Sequence, residues 1–248
     1  RYVSVGCACG AGRDRGAPAA ESKRVGDAWG QWVVFDFEQW ARRVLGHVVD
    51  PIARALVAIG VTADMLTVLG FLGNVYVAVL IVQGRLVLAG GIVLFAGAFD
   101  MLDGAVARKS DKANGSGALL DSVLDRYSES VIFLGLLTHF FKTGHFLAVT
   151  LTFMSIIGSL LVSYIRARAE GLNIECRVGF MQRSERIVLL AIGLMLSGWQ
   201  VFGAAWPVLG STPVLVLVLG LLAVLSNLTA VHRLIFSYAE LHRAHRSP

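Results

Sequence analysis

Residues 146–165 read FLAVTLTFMSIIGSLLVSYI. No charge interrupts the run, and its length matches the ~20 apolar residues a helix needs to cross a bilayer. Charges return at once on the far side, with Arg166, Arg168 and Glu170. The same reading extends outward along the chain. Ile187–Trp206 and Val214–Val231 are equally free of charge, and Met65–Val82 forms a further apolar run. Leu86–Phe99 is apolar and leads straight into Asp100, whereas Gly117–Phe141 begins with charges and turns apolar from Val131. Together these predict an all-α integral membrane protein with six transmembrane helices.

Composition agrees. Hydrophobic residues make up 56% of the chain and charged residues 16%, against about 25% charged in ordinary soluble domains. The net charge is +5, and Lys and Arg fall between the apolar runs. That placement suits anionic lipid headgroups, and no aromatic-basic module for nucleic acid is present. The cysteines, Cys7, Cys9 and Cys176, are odd in number and do not form a disulfide framework.

The chain divides by composition. Residues 1–30, rich in Gly, Ala and Arg, lack periodicity and are expected to be disordered. Residues 31–60 interleave Trp32, Phe35, Phe37 and Trp40 with Asp36, Glu38, Arg42 and Arg43, which predicts an amphipathic helix lying in the membrane interface. Residues 61–240 hold the six spans, and 241–248 form a tail. Arg108, Lys109 and Lys112 follow the second span, and Arg166, Arg168, Arg177, Arg183 and Arg186 follow the fourth; the opposite side carries only Arg85 and Lys142. The positive-inside rule then puts both termini and the basic loops in the cytoplasm, with the membrane expected to be the plasma membrane.

Between the second and third spans lies DMLDGAVARKSDKANGSGALLDSVLD, residues 100–125. Asp100 and Asp103 stand at i and i+3, and Asp121 and Asp125 at i and i+4, so each pair occupies one helix face. Because one helix ends where the next begins, the two pairs can converge near the membrane boundary. Charges at membrane depth are expensive, and four clustered carboxylates call for a cation. Oxygen-only donors favour a hard divalent ion such as Mg²⁺ or Mn²⁺. The surrounding residues suit a diphosphate: Gly104 permits close approach to backbone, Arg108 can pair with phosphate oxygens, and Asn114 to Gly117 form a turn able to hold a nucleotide.

This pattern resembles the signature of the CDP-alcohol phosphatidyltransferase family, D-x-x-D-G-x-x-A-R, a short gap, then G-x-x-x-D-x-x-x-D. Asp100, Asp103, Gly104, Ala107, Arg108, Gly117, Asp121 and Asp125 fill every fixed position. The resemblance implies six membrane helices, a homodimer, and two divalent ions held by Asp100, Asp103 and Asp121 against the diphosphate of CDP-diacylglycerol. It implies that Asp125 deprotonates the acceptor hydroxyl while also touching metal, and that Gly104, Arg108, Asn114 and Gly117 contact the CDP-lipid. Asp64, Met65, Leu66 and Thr67 resemble the family's nucleotide-side segment, with Ala63 where relatives usually carry Pro.

Ser163 to Glu170 and Gln182 to Arg186 are similar to segments of a branch of that family, the bacterial phosphatidylinositol phosphate synthases and their archaeal relatives. The likeness implies inositol 1-phosphate as acceptor, its phosphate met by Arg166, Arg183 and Arg186. Glycerol 3-phosphate or another polar alcohol is the alternative within the same chemistry. A cation transporter with an intramembrane acidic site is the alternative of another class, disfavoured by a single cluster near one face rather than repeated halves around the midplane. Glu129, four residues past Asp125, is placed to tune it, or equally to pair with Arg126 or with a neighbouring helix.

Overall fold

The structure is a computed structural model that describes residues 49, 51–109, 115–174, 176, 178–179, 181–197 and 212–246, with backbone alone at 98–101, 103, 107–109 and 244–246. The predicted disordered segment 1–30, and the predicted interfacial helix up to residue 48, lie outside the described residues. Residues 51–58 are helical. The remaining elements are α1 (Ala63–Val82), α2 (Leu86–Lys109), α3 (Gly115–Lys142), α4 (Phe146–Glu170), α5 (Arg183–Leu196) and α6 (Pro213–Arg246). No strand occurs among the described residues.

Local chemistry sets the helix ends. Thr62 caps α1 by accepting from the Met65 N–H at 3.3 Å, as a hydroxyl at an N-cap should. Between α1 and α2 the chain reverses at Gly84 (φ +78). There the N–H of Gly84 donates to Ile81 O, and that of Arg85 to Leu80 O. Gly144 (φ +72) does the same between α3 and α4, with the His145 N–H reaching Phe140 O. Both are Schellman closures, which need a left-handed residue after the last helical turn.

Neighbouring helices pack in a closed order, α1–α2–α5–α6–α4–α3 and back to α1. Small residues permit the close approaches. A side chain on Gly135 of α3 would stand 2.9 Å from Ala78 O of α1, and one on Gly158 of α4 would stand 2.8 Å from Ser226 of α6. Such small-residue contacts are the usual means of packing helices in lipid, where apolar burial between helices gives little drive. The interior is filled by Leu80, Ile81, Phe133, Leu136, Phe140, Leu190, Leu194, Leu215, Leu219 and Leu222, among others. A second cluster joins Ala53 of the segment 51–58 to Leu66 of α1 and to Ala105 and Val106 of α2. It fixes the beginning of α1 against the last turns of α2.

Outward faces are apolar as well: Leu69, Leu72 and Tyr76 on α1, and Leu217, Leu221, Val224, Leu228 and Val231 on α6, are all exposed. Among the described residues, three helical stretches, Ala63–Val82, Phe146–Glu170 and Pro213–Arg243, are long and apolar enough to cross a membrane, and Leu86–Gly97 is a shorter apolar stretch. α1 ends at Val82 and α4 begins at Phe146 as predicted, but α2, α4 and α6 run beyond their predicted ends. Beyond Phe99, α2 continues to Lys109, so the first acidic pair lies on the helix, as its i, i+3 spacing implies. From Val231, α6 continues to Arg246, into the segment read as a tail.

Candidate active site at the junction of α2 and α3

Asp100, Asp103, Gly104 and Arg108 occupy the last turns of α2, and Gly117, Asp121 and Asp125 the first turns of α3. The side chains of Asp100, Asp103 and Arg108, and all of Asn114, lie outside the described residues. Gly104 is half-buried beside Ala105 and Val106, which carry the helix onto the second apolar cluster. On α3, Asp121 and Asp125 are both half-buried, one turn apart.

The predicted nucleotide-side segment meets this junction. Asp64, in the first turn of α1, reaches over Gly117: a methyl group there would stand 3.1 Å from Asp64 Oδ1. Glycine at 117 therefore makes room for a carboxylate from another helix. Met65 is exposed, Leu66 is buried in the second cluster, and the Thr67 hydroxyl donates to Ala63 O at 3.1 Å. Among these four side chains, only those of Asp64 and Met65 are open to solvent or ligand.

The three predicted acceptor arginines have different surroundings. Arg183, the first residue of α5, places Nη1 2.8 Å from Asp125 Oδ2. Arg186, one turn on, is buried and meets Glu129 with both arms of its guanidinium, Nε to Oε1 at 2.8 Å and Nη2 to Oε2 at 3.0 Å. The two pairs form parallel rungs, since Asp125 and Glu129 are i, i+4 on α3 while Arg183 and Arg186 are i, i+3 on α5. These helices are not neighbours in the packing order, so long side chains span between them. Arg166, by contrast, is exposed at the end of α4 and pairs with Glu170 of its own helix at 2.9 Å.

The rungs answer the question that sequence left open for Glu129. Arg126 turns back onto its own helix and donates to Ser122 O, leaving Glu129 to the cation of α5. The first turn of α5 is held further by the Gln182 N–H, which donates to Glu185 Oε2 at 2.8 Å.

Arg233 belongs to no motif and stands just past the apolar run that ends at Val231. It is buried, and it donates through Nε to Val178 O at 2.7 Å and through Nη1 to Val162 O at 2.9 Å. It thus ties α6 to α4 and to the connection ahead of α5. Gly179, at φ +132, leaves the space: a side chain there would clash with Thr229 at 2.6 Å and crowd Arg233. The available signal was polar spacing along α6, because Ser226, Thr229, Arg233 and Ser237 share a buried face.

The fold and motif place the chain among known proteins. The pattern of the CDP-alcohol phosphatidyltransferase family matches residues 60–225. A phosphatidylinositol phosphate synthase of Mycobacterium tuberculosis is 36% identical over 196 residues, 78% of this chain and 87% of that protein. An archaetidylinositol phosphate synthase of Methanothermobacter thermautotrophicus is 34% identical over 200 residues, 81% of this chain and 93% of its own length. The crystal structure of the M. tuberculosis synthase with CDP-DAG bound superposes with a TM-score of 0.67 at 35% identity, covering 77% of this chain and 94% of that one. A further structure of that protein holds manganese and citrate, again with a TM-score of 0.67. The chain belongs to the CDP-alcohol phosphatidyltransferase family; it is a membrane transferase.

Proposed function

We propose that this protein transfers a phosphatidyl group from CDP-diacylglycerol to inositol 1-phosphate and releases CMP. The observation that carries this reading is the contact of Arg183 with Asp125. A hydroxyl delivered to the Asp125 carboxylate brings the rest of its molecule beside a guanidinium, which favours an acceptor that is itself a phosphate ester. The relatives act in the same sense, since their names specify inositol phosphate products.

In this reading the acceptor oxygen attacks the phosphorus that bears the diacylglycerol. The new O–P bond forms as the P–O bond to CMP breaks, and the hydroxyl proton passes to Asp125, which acts as general base. Asp121 and Asp125 present only oxygen donors from adjacent turns, which suits a hard divalent ion. Mg²⁺ or Mn²⁺ held by Asp100, Asp103, Asp121 and Asp125 supplies charge neutralisation at the diphosphate when bound. Asp64, Met65, Gly104, Arg108, Asn114 and Gly117 line the CDP side, with Leu66 and Thr67 supporting them from within α1.

The finer architecture belongs to the same proposal. All six helices cross the membrane, α3 and α5 with polar first turns at its cytoplasmic boundary, and residues 31–60 lie along that surface. The protein works as a homodimer in the plasma membrane, with its site open to the cytoplasm. The basic loops support this orientation.

CMP release by the purified protein tests the chemistry, with CDP-diacylglycerol and Mg²⁺ or Mn²⁺ supplied. Inositol 1-phosphate should support release, and free inositol, serine and glycerol 3-phosphate should not. Release with glycerol 3-phosphate alone would replace the acceptor while keeping the reaction.

A further inference from the structure

The two rungs between α3 and α5 differ in accessibility. Glu129 and Arg186 have side chains 5% and 2% exposed, so their pair is sealed. Asp125 and Arg183 have side chains 20% and 31% exposed, so a ligand entering the site reaches both. The sealed rung and the Gln182–Glu185 contact fix the backbone from which Arg183 extends. Beyond that backbone, the Arg183 side chain is the part of α5 that a ligand can reach at this rung.

This inference rests on the reading of Asp125 as a metal-site carboxylate and of the acceptor as a phosphate ester. Under it, Asp125 has two cationic suitors. The guanidinium already lies against Oδ2, and a divalent ion on the same carboxylate repels it at close range. A phosphate arriving with the acceptor attracts that guanidinium more strongly than one carboxylate does, because it offers more oxygens and more charge. We propose that Arg183 is an exchangeable counter-ion: it competes with the divalent ion for Asp125, and the acceptor's phosphate draws it away, so that cation and acceptor bind with positive cooperativity. The coupling is reciprocal, as linkage requires. Its consequence is order at the site, since Asp125 is freed for its cation and its proton when the acceptor is in place.

Mn²⁺ titration of the purified full chain in detergent tests this, following free Mn²⁺ by electron paramagnetic resonance. Arg183→Gln should bind Mn²⁺ about fivefold tighter than the unaltered protein, the factor expected from losing a competing ion pair of about 1 kcal/mol. Arg183→Lys should fall between the two. Inositol 1-phosphate should tighten Mn²⁺ binding to the unaltered protein and leave Arg183→Gln unmoved, and free inositol should affect neither. Tightening by glycerol 3-phosphate but not by inositol 1-phosphate would uphold the exchange and discard the acceptor assigned above. Unchanged or weaker Mn²⁺ binding in Arg183→Gln would overturn the exchange, and failure of the unaltered protein to bind Mn²⁺ would overturn it together with the metal-site reading.

Discussion

Arg186→Ala is the most informative single perturbation, because sequence and structure assign the residue different work. By sequence it is an acceptor contact, whose loss raises the KM for inositol 1-phosphate and little else. In the structure its guanidinium is 2% exposed and makes a two-point pair with Glu129. Truncation then leaves a buried carboxylate without its cation, a change that costs about 3–5 kcal/mol. For a chain of this size each kcal/mol moves Tm by about 2–4 °C, so the apparent Tm should fall by about 6–20 °C. Thermal unfolding in a fixed detergent at one scan rate measures it. Glu129→Ala should lose a comparable amount. The double variant should lose clearly less than the sum, with a coupling of about 1–3 kcal/mol. Arg166→Ala is the control, since its exposed i, i+4 pair with Glu170 contributes about 0.3–0.5 kcal/mol. An Arg186→Ala protein with unchanged Tm and a raised acceptor KM would refute the reasoning and return Arg186 to the substrate.

Three other outcomes are expected. Asp125→Asn should lower turnover by about 10²–10⁴, the usual weight of general-base catalysis, while CDP-diacylglycerol binding by equilibrium titration stays within a few-fold; loss of that binding would make Asp125 chiefly a ligand. Gly117→Ala places a methyl group 3.1 Å from Asp64 Oδ1, so it should raise the KM for CDP-diacylglycerol and spare that for the acceptor; equal effects would detach Asp64 from the nucleotide side. Gly158→Val forces α4 from α6 at Ser226 and Asn227, both 2.8 Å from the new Cβ, and should cost about 1–3 kcal/mol by overpacking; an unchanged melting profile would mean that this crossing is not tight.

Much of the fold was legible because lipid imposes a simple pattern. Phe146 opens α4 and Val82 closes α1 as apolar composition predicts. Where prediction fell short, the apolar run ended before the helix did: α4 persists through Arg166–Glu170 on an i, i+4 ion pair, and α6 persists past Val231 because Arg233 and Ser237 are buried against other elements. The placing of the acidic motif on two helices was legible, since its spacing is local to each of them. Partners were not. That Glu129 faces Arg186, Arg183 faces Asp125, and Arg233 holds Val162 O depends on which helices meet, and a single chain pattern does not contain the order α1–α2–α5–α6–α4–α3.

That order explains why charged side chains lie so deep at this end of the bundle. Because α3 and α5 are separated in it, each is set by its own neighbours: α3 by α1 and α4, α5 by α2 and α6. A slip of one turn along either helix axis would move Asp125 about 5.4 Å relative to Arg183, further than any ion pair tolerates. Apolar side chains are poor guards against such a slip, since one leucine contact resembles another. A two-point carboxylate–guanidinium pair is satisfied in one register alone. A buried pair of this kind is weak evidence for stability, as apolar replacements often do as well. Its worth here is geometric. Glu129 and Arg186 hold the register in which the rung above them, Asp125 and Arg183, stands at the mouth of the site.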